Sequence, residues 1–265
     1  MELHHTLAGP EKGLPVLLVH GFPFDGRMWD ETAKVLVAAG CRAIVPDLRG
    51  WGKSELARTA TMREQANDLA ELLDKLNVRQ AVVVGFSMGG YVALNFANLH
   101  RERTAALVLV DTRANADDEK AKAGRRDLAA KALKDGMGAI VEAQLAKMLT
   151  ASTFANRRAL VEKVEGWMRG QRPAGAAAAL LGMMERPDLR GKLAGMLLPC
   201  LAVVGDQDEV IPPDEVMRVA QAFRGSETAV LKGAAHLSPV EQPEQFHREL
   251  LAWLKRTFPA ANVKA

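Results

Sequence analysis

The chain has 265 residues, of which 48% are hydrophobic and 25% charged, which is typical of one large globular domain with a buried core. Its net charge is only +3, with 35 basic and 32 acidic residues and no dense basic block, so the composition argues against a nucleic-acid-binding protein. The chain has two cysteines, no signal-peptide pattern and no apolar run near the ~18 residues of a membrane span, so we expect a cytoplasmic protein without a membrane partner.

Apolar runs of strand length alternate with amphipathic runs of helix length through most of the chain. An edge strand is expected before Gly9. Further strands are predicted at residues 16–19, 42–45, 81–84, 105–110, 201–204 and 228–231, and helices at 30–39, 62–76, 89–100, 213–223 and 242–256. This alternation is typical of the α/β class, with a mainly parallel sheet flanked by helices.

The alternation stops at residues 112–197, which are rich in alanine and charge and have helical spacing but no strand-like run. We interpret this stretch as a helical cap inserted between two parts of one core, residues 1–111 and 198–265. Bulky cap side chains predict an acyl or ring pocket, although such side chains also form ordinary helix cores. The pocket candidates are Trp167, Met168, Leu180, Met183 and Met184.

Ser87 is the candidate nucleophile, because it lies in Gly-Phe-Ser-Met-Gly at residues 85–89, between an apolar run and a predicted helix. Glycines two positions before and after the serine permit a sharp strand-to-helix turn that exposes its hydroxyl. An ordinary glycine–serine turn is the alternative interpretation.

A serine nucleophile needs a base, and the base needs a carboxylate to orient it. Asp208 follows the predicted strand at 201–204, and His236 follows the one at 228–231. Both would lie at the carboxyl ends of strands, near Ser87. Asp111, which ends the strand at 105–110, is the alternative acid, whereas Asp206 is expected to cap its own turn.

Four segments together resemble the α/β-hydrolase superfamily: residues 20–23, 47–54, 85–90 and the His236 loop with 239–243. The order serine, aspartate, histidine is that of the superfamily. Within it the chain is similar to small serine esterases and to the 3-oxoadipate enol-lactonase-like branch, notably at residues 111–114 and 185–188. One departure is Ala235, where relatives usually carry glycine.

The resemblance implies an α/β-hydrolase fold and a role for each site residue. Ser87 would be the nucleophile, His236 the base and Asp208 the acid, and the backbone N–H groups of Phe22 and Met88 would form the oxyanion hole. We interpret His20 as a brace for the oxyanion loop rather than as a general base. Residues 47–54 resemble a structural loop whose charges tie neighbouring loops together.

We therefore predict hydrolysis of a small-molecule substrate, a carboxylic ester or lactone with a small to medium acyl group, through an acyl-enzyme. We expect no cofactor and no metal ion, and we interpret Cys41 and Cys200 as buried structural thiols. Carbon–carbon bond hydrolysis and perhydrolysis use the same triad and are alternatives. A receptor that retains the triad without turnover is the alternative outside enzymology.

Overall fold

The structure, a computed structural model, describes residues 1–261 and 263–264. Its centre is a seven-stranded sheet in the order β1-β3-β2-β4-β5-β6-β7. Strand β1 runs antiparallel to β3, and the other neighbouring pairs are parallel. The strands are His5–Ala8 (β1), Pro15–Val19 (β2), Arg42–Pro46 (β3), Ala81–Phe86 (β4), Thr104–Val110 (β5), Cys200–Gly205 (β6) and Glu227–Leu231 (β7).

Helices flank the sheet and fill the stretch between β5 and β6. The predicted α/β class and the edge strand before Gly9 are confirmed. The helices are Asp30–Ala38 (α1), Met62–Lys75 (α2), Met88–Leu99 (α3), Glu119–Asp135 (α4), Met137–Met148 (α5), Ala151–Asn156 (α6), Arg158–Arg169 (α7), Pro173–Met184 (α8), Arg190–Leu193 (α9), Pro213–Gln221 (α10), Ser238–Glu241 (α11) and Pro243–Thr257 (α12).

Burial along the strands explains why their sequences are apolar. Every residue of β4 and of β6 is buried, which requires a continuous apolar run, because both faces of a parallel sheet are covered. In the edge strand β7 only Ala229 and Leu231 are buried. Cys41 and Cys200 are buried free thiols, as the sequence predicted.

Helix α2 shows how a capping interaction between neighbouring residues determines where a helix begins. The Thr61 hydroxyl accepts a hydrogen bond from the Glu64 N–H at 3.2 Å, and the Glu64 carboxylate accepts one from the Thr61 N–H at 2.9 Å. This reciprocal capping satisfies backbone donors that the first helical turn cannot use, so the helix begins after Thr61.

Between β5 and β6, residues 112–197 form helices α4–α9 and, in this fully described stretch, no strand. We use the name cap for residues 112–197. Helix α8 lies directly on the core, because a Cβ on Gly175 would overlap the Gly50 carbonyl and one on Gly182 would overlap the Ala60 carbonyl. Across residues 1–261 and 263–264, none of the helices combines the length and hydropathy that a membrane span requires.

Candidate active site

Ser87 lies at the turn between β4 and α3, with φ 50° and ψ −114°. Such positive φ values are costly for a residue with a Cβ and occur mainly where surrounding structure enforces them. The Ser87 N–H donates to the Val110 carbonyl of neighbouring β5 at 2.9 Å, which fixes the turn. A Cβ on Gly89 would overlap the Val19 carbonyl, and one on Gly85 would overlap the Gly89 carbonyl. Close packing therefore requires both glycines around the serine.

The structure brings Ser87, His236 and Asp208 into one hydrogen-bonded chain. The Ser87 Oγ lies 2.8 Å from His236 Nε2, and His236 Nδ1 lies 2.8 Å from Asp208 Oδ2. Each residue follows a strand of the parallel part of the sheet: β4 for the serine, β6 for the aspartate and β7 for the histidine. Because these strands end at the same edge, residues far apart in sequence meet there.

The surroundings of Asp208 determine which ring nitrogen of His236 carries the proton. Asp208 Oδ1 accepts the N–H groups of Val210 and Ile211 at 2.8 and 3.0 Å, so its carboxylate is held from one side. Its Oδ2 can only accept from His236, which places the hydrogen on Nδ1 and leaves Nε2 free to accept from the Ser87 hydroxyl. This is the tautomer that a general base needs.

Asp111, the alternative acid, lies in the same network but does not contact the His236 ring. Its Oδ1 accepts the Gly205 N–H at 2.9 Å, and its Oδ2 accepts the Ser238 hydroxyl at 2.5 Å. Burial, followed by the nearby charge of Asp208, raises the pKa of Asp111 well above its usual range. Burial therefore favours the protonated form of Asp111 beside the hydrogen-bonded chain.

The backbone amides expected to form the oxyanion hole flank the serine site. Met88 begins α3, where the first N–H groups of a helix have no intrahelical acceptor. Phe22 lies in the turn after β2 and lines the same cleft as Ser87 and His236. Within the described residues, neither the Phe22 N–H nor the Met88 N–H donates to another backbone group in the turns and loops.

His20 makes contacts of the kind expected of a brace. Burial lowers its pKa, so the ring is neutral. Its Nδ1 lies 3.1 Å from the Gly21 carbonyl, and its Nε2 accepts the Leu48 N–H at 2.9 Å. The ring therefore joins the turn that carries Phe22 to the loop at residues 47–54.

The charged residues of that loop were predicted to tie loops together, but only Asp47 reaches another connecting segment, at Gly26, whereas Arg49 pairs with helix α2. Asp47 accepts the N–H groups of Gly26 and Lys53 at 2.9 Å each, and Arg49 forms a bidentate pair with Asp68 at 2.6 and 2.7 Å. The interpretation of Asp206 as a cap of its own turn was wrong. Its carboxylate accepts the Gly233 N–H at 2.8 Å and so holds the beginning of the His236 loop.

A cleft of about 600 Å³ opens onto Ser87 and His236. Of the five pocket candidates, Leu180 and Met183 line it, together with core residues Phe22 and Ile211. The other three candidates are not among its lining residues. Trp167 packs edge-on against Phe24 with 6.4 Å between ring centroids, Met168 is fully buried and Met184 is partly buried.

Charged side chains that we did not predict also line the cleft: the basic Arg113, Arg125, Lys131 and Lys147 and the acidic Asp127 and Glu209. Arg125 Nε donates to the fully buried Asp117 carboxylate at 2.6 Å. Arg113 is held less tightly, with carboxylate oxygens of Glu215 and Asp117 at 3.5 and 3.7 Å. Among the described residues the buried Arg113 Nε–H has no acceptor. The Arg113 guanidinium is therefore only loosely paired where it lines the cleft.

Tyr91, one turn after Ser87 in α3, also lines the cleft and was not predicted. The Arg186 guanidinium lies over its ring at 4.3 Å. The sequence carried only an indirect signal for these residues, since Arg113 and Arg186 belong to the two segments that resemble the enol-lactonase-like branch. Across residues 1–261 and 263–264, no group of three or more His, Cys, Asp or Glu side chains could hold a metal ion.

Comparison with known proteins gives the chain relatives along nearly its whole length. An esterase from Thermogutta terrifontis, solved with malate bound, superimposes with a TM-score of 0.93 and 41% identity, covering 96% of this chain and 93% of that one. The enol-lactonase from Burkholderia xenovorans superimposes with a TM-score of 0.87 and 27% identity, covering 96% of each chain.

Sequence relatives extend the comparison. The pimeloyl-[acyl-carrier protein] methyl ester esterase of Aeromonas hydrophila is 30% identical over 89% of this chain and 93% of its own length. This chain spans only 65% of a 31% identical relative from Pseudomonas putida, the acetyltransferase component of an acetoin cleaving system. The sequence model of the alpha/beta hydrolase family matches residues 16–249. The resemblance inferred from the motifs is thus confirmed, and the chain belongs to the alpha/beta hydrolase family.

Proposed function

We propose that this protein hydrolyses carboxylic esters or lactones through an acyl-enzyme formed on Ser87. The observation that carries the proposal is the unbroken hydrogen-bond chain from Ser87 Oγ through the His236 ring to Asp208, with both distances at 2.8 Å. His236 Nε2 takes the hydroxyl proton while Oγ attacks the carbonyl carbon. Asp208 stays ionised and stabilises the imidazolium that forms.

Negative charge then develops on the carbonyl oxygen. The backbone amides of Phe22 and Met88 are the donors that would bind it, and each such donor typically contributes about 3–4 kcal/mol to the transition state. Only the backbone N–H is used, so their side chains are free to serve other purposes. The Phe22 ring, for example, packs edge-on against Trp51 with 5.5 Å between centroids.

The second half of the reaction reuses the same histidine. The imidazolium gives its proton to the leaving alkoxide, the ester bond breaks, and the acyl group remains on Ser87. His236 then takes a proton from water, whose oxygen attacks the acyl carbon; as the bond to Ser87 Oγ breaks and the acid leaves, the imidazolium returns a proton to Oγ. This cycle needs no cofactor, and we propose a cofactor-free cytoplasmic enzyme.

The esterases among the relatives support ester hydrolysis, above all the 41% identical Thermogutta terrifontis enzyme. The Burkholderia xenovorans enol-lactonase supports lactones as a second substrate class. One observation favours substrates that carry a carboxylate in addition to the ester or lactone group. Arg113 lines the cleft and its guanidinium is only loosely paired, with the nearest carboxylate oxygens at 3.5 and 3.7 Å, so it would bind such a group.

Steady-state hydrolysis of p-nitrophenyl esters from acetate to dodecanoate tests the central proposal. Wild type should be active on short and medium esters, and Ser87→Ala should lower kcat by about 10⁴-fold or more. Ser152→Ala, which changes an exposed cap serine, is the control and should match wild type. Equal rates for wild type and Ser87→Ala would overturn the proposal.

A pair of methyl esters of similar length tests the preference for anionic substrates. One has a free carboxylate at its far end and the other has a neutral amide there. Arg113→Gln should lower kcat/KM for the anionic ester by about tenfold or more and leave the neutral ester within about twofold. Arg158→Gln, at an exposed arginine of α7, is the control. An equal loss on both esters would show that Arg113 has only a structural role.

A further inference from the structure

The cap holds the His236 loop on both sides of the histidine. On one side, the Leu237 N–H donates to the Met148 carbonyl at 2.8 Å. On the other, the Ala235 N–H donates to Glu241 Oε2 at 2.7 Å, and Glu241 Oε1 accepts from Thr150. Because Met148 and Thr150 belong to the cap, the position of His236 and the docking of the cap depend on the same few bonds.

Glu241 makes the larger share of these contacts. Its Oε1 accepts both the N–H and the hydroxyl of Thr150, each at 2.7 Å. The residue is 0% exposed, and no cationic side chain pairs with its carboxylate among the described residues. The Arg157 guanidinium instead donates to the Glu241 backbone carbonyl at 2.5 Å. Three neutral donors, all on the His236 loop or the cap, therefore satisfy a buried carboxylate.

Both ends of this connection are fixed by local structure. Thr150 caps α6, since its hydroxyl accepts the Thr153 N–H at 3.2 Å while it donates to Glu241. Glu241 closes the short helix α11, which begins two residues after His236. A displacement of the Glu241 carboxylate would therefore be passed to the Ala235 amide and on to the adjacent histidine.

We propose that Glu241 is a positioning residue for His236, and that its carboxylate makes cap docking and histidine placement a single event. The inference rests on the proposed role of His236 as general base. A carboxylate suits this task because both of its oxygens accept hydrogen bonds. Glutamine has nearly the same shape but only one acceptor oxygen, so its amide group would face either the Ala235 N–H or the donors of Thr150.

The substitution Glu241→Gln tests the proposal at the serine. A p-nitrophenyl alkylphosphonate reports activation of Ser87 directly, because Oγ bonds to phosphorus, p-nitrophenolate leaves and His236 takes the serine proton. We expect Glu241→Gln to slow this reaction by about tenfold to a hundredfold, since a catalytic group misplaced by about 1 Å can cost about a hundredfold. For ester hydrolysis, kcat should fall by a similar factor while KM changes by less than about threefold.

A second readout does not depend on turnover. The Nδ1–H proton shared by His236 and Asp208 gives a low-field proton resonance in NMR, which should shift or broaden in Glu241→Gln. Asp68→Asn is the matched control, because Asp68 is also a buried carboxylate but pairs with Arg49 away from the site. This control should lower thermal stability and leave the His236 resonance unchanged.

Variants at Thr150 separate positioning from general stability. Thr150→Ser keeps both donors and should keep the wild-type phosphonate rate, whereas Thr150→Ala loses the hydroxyl and should fall between wild type and Glu241→Gln. The proposal is overturned if Glu241→Gln lowers only the melting temperature, or raises KM alone, while the phosphonate rate and the resonance stay as in wild type. A wild-type protein inert to esters and phosphonate would contradict the proposed function instead, and the resonance would still test the position of His236.

Discussion

Asp111 and Asp208 show how two buried carboxyl groups in one network acquire different roles. Asp208 accepts hydrogen bonds from two amides and from the His236 ring. Asp111 accepts one amide and the Ser238 hydroxyl, and burial raises its pKa well above the usual range. The nearby charge of Asp208 adds to this shift, because a like charge disfavours the ionised form of Asp111.

Replacing each carboxyl group by an amide should show which of the two is needed for catalysis. In Asp111→Asn the amide mimics a protonated carboxyl, since its oxygen can accept the Gly205 N–H and its NH₂ can donate to Ser238. We expect kcat to fall by less than about tenfold. In Asp208→Asn the amide stabilises the wrong histidine tautomer, so kcat should fall by about 10⁴-fold. Ester hydrolysis kinetics of both variants measure the two losses of kcat. A larger loss in Asp111→Asn than in Asp208→Asn would identify Asp111 as the acid.

At this scale the sequence predicted which side chains meet at the candidate active site better than it predicted which ones line the pocket. Ser87, Asp208 and His236 each follow an apolar strand, and parallel strands bring such positions to one edge. The lining residues depend instead on how the cap helices rotate and pack. Leu180 and Met183 face the cleft while Met168 faces the interior, and helical spacing alone does not distinguish the two.

At the scale of elements, the cap gives the cleft its outer wall. A truncation at Leu180 should therefore enlarge the pocket, and Leu180→Ala is expected to shift the best p-nitrophenyl ester to a longer chain. Met168→Ala is the control, since Met168 is fully buried outside the cleft. It should cost about 2–5 kcal/mol of stability and leave the chain-length optimum in place. The same shift of the chain-length optimum in both variants would contradict this, because it would mean that either truncation loosens the packing of the whole cap.

Replacing two glycines of the cap helices by alanine should change the stability of the protein in opposite directions. In α7, a Cβ on Gly166 would meet open space, so Gly166→Ala should stabilise the protein by about 0.5–1 kcal/mol through helix propensity. In α8, a Cβ on Gly182 would overlap the Ala60 carbonyl, so Gly182→Ala should destabilise it. Denaturant unfolding measures both changes, and a stabilising Gly182→Ala would show that α8 does not lie against the core in this way.

For the molecule as a whole, Asp111 links stability to pH. Its pKa is raised in the folded state, so above its ordinary pKa of 3.8 the folded protein keeps a proton that the unfolded chain releases. The free energy of unfolding contributed by this group should therefore fall as pH rises from 3.8 towards the raised pKa, by at most about 1.4 kcal/mol per pH unit.

Asp111→Asn isolates that contribution, because the amide does not titrate. The difference in unfolding free energy, variant minus wild type, should rise with pH when denaturant titrations are compared at successive pH values from 5 to 8. Groups such as Asp25, whose pKa is lowered, act in the opposite direction in both proteins and cancel in the difference. A difference that stays flat with pH would mean that Asp111 is ionised in the folded protein.

The architecture could be predicted from the sequence because strands and helices differ in the spacing of their apolar residues. Continuous apolar runs revealed strands such as β4 and β6, which are buried on both faces. The cap was recognised only as helical. Its docking depends on close approaches, such as Gly182 against Ala60, and on single buried groups such as Glu241. These are tertiary contacts between distant residues, and no local pattern encodes them.

The most direct test of the account is rapid mixing of the protein with p-nitrophenyl acetate, followed by acid quenching and mass analysis. We expect a burst of about one p-nitrophenolate per chain and an acetyl group on the peptide that contains Ser87. Ser87→Ala should show neither. Turnover without an acetylated Ser87, retained in Ser87→Ala, would contradict the acyl-enzyme mechanism.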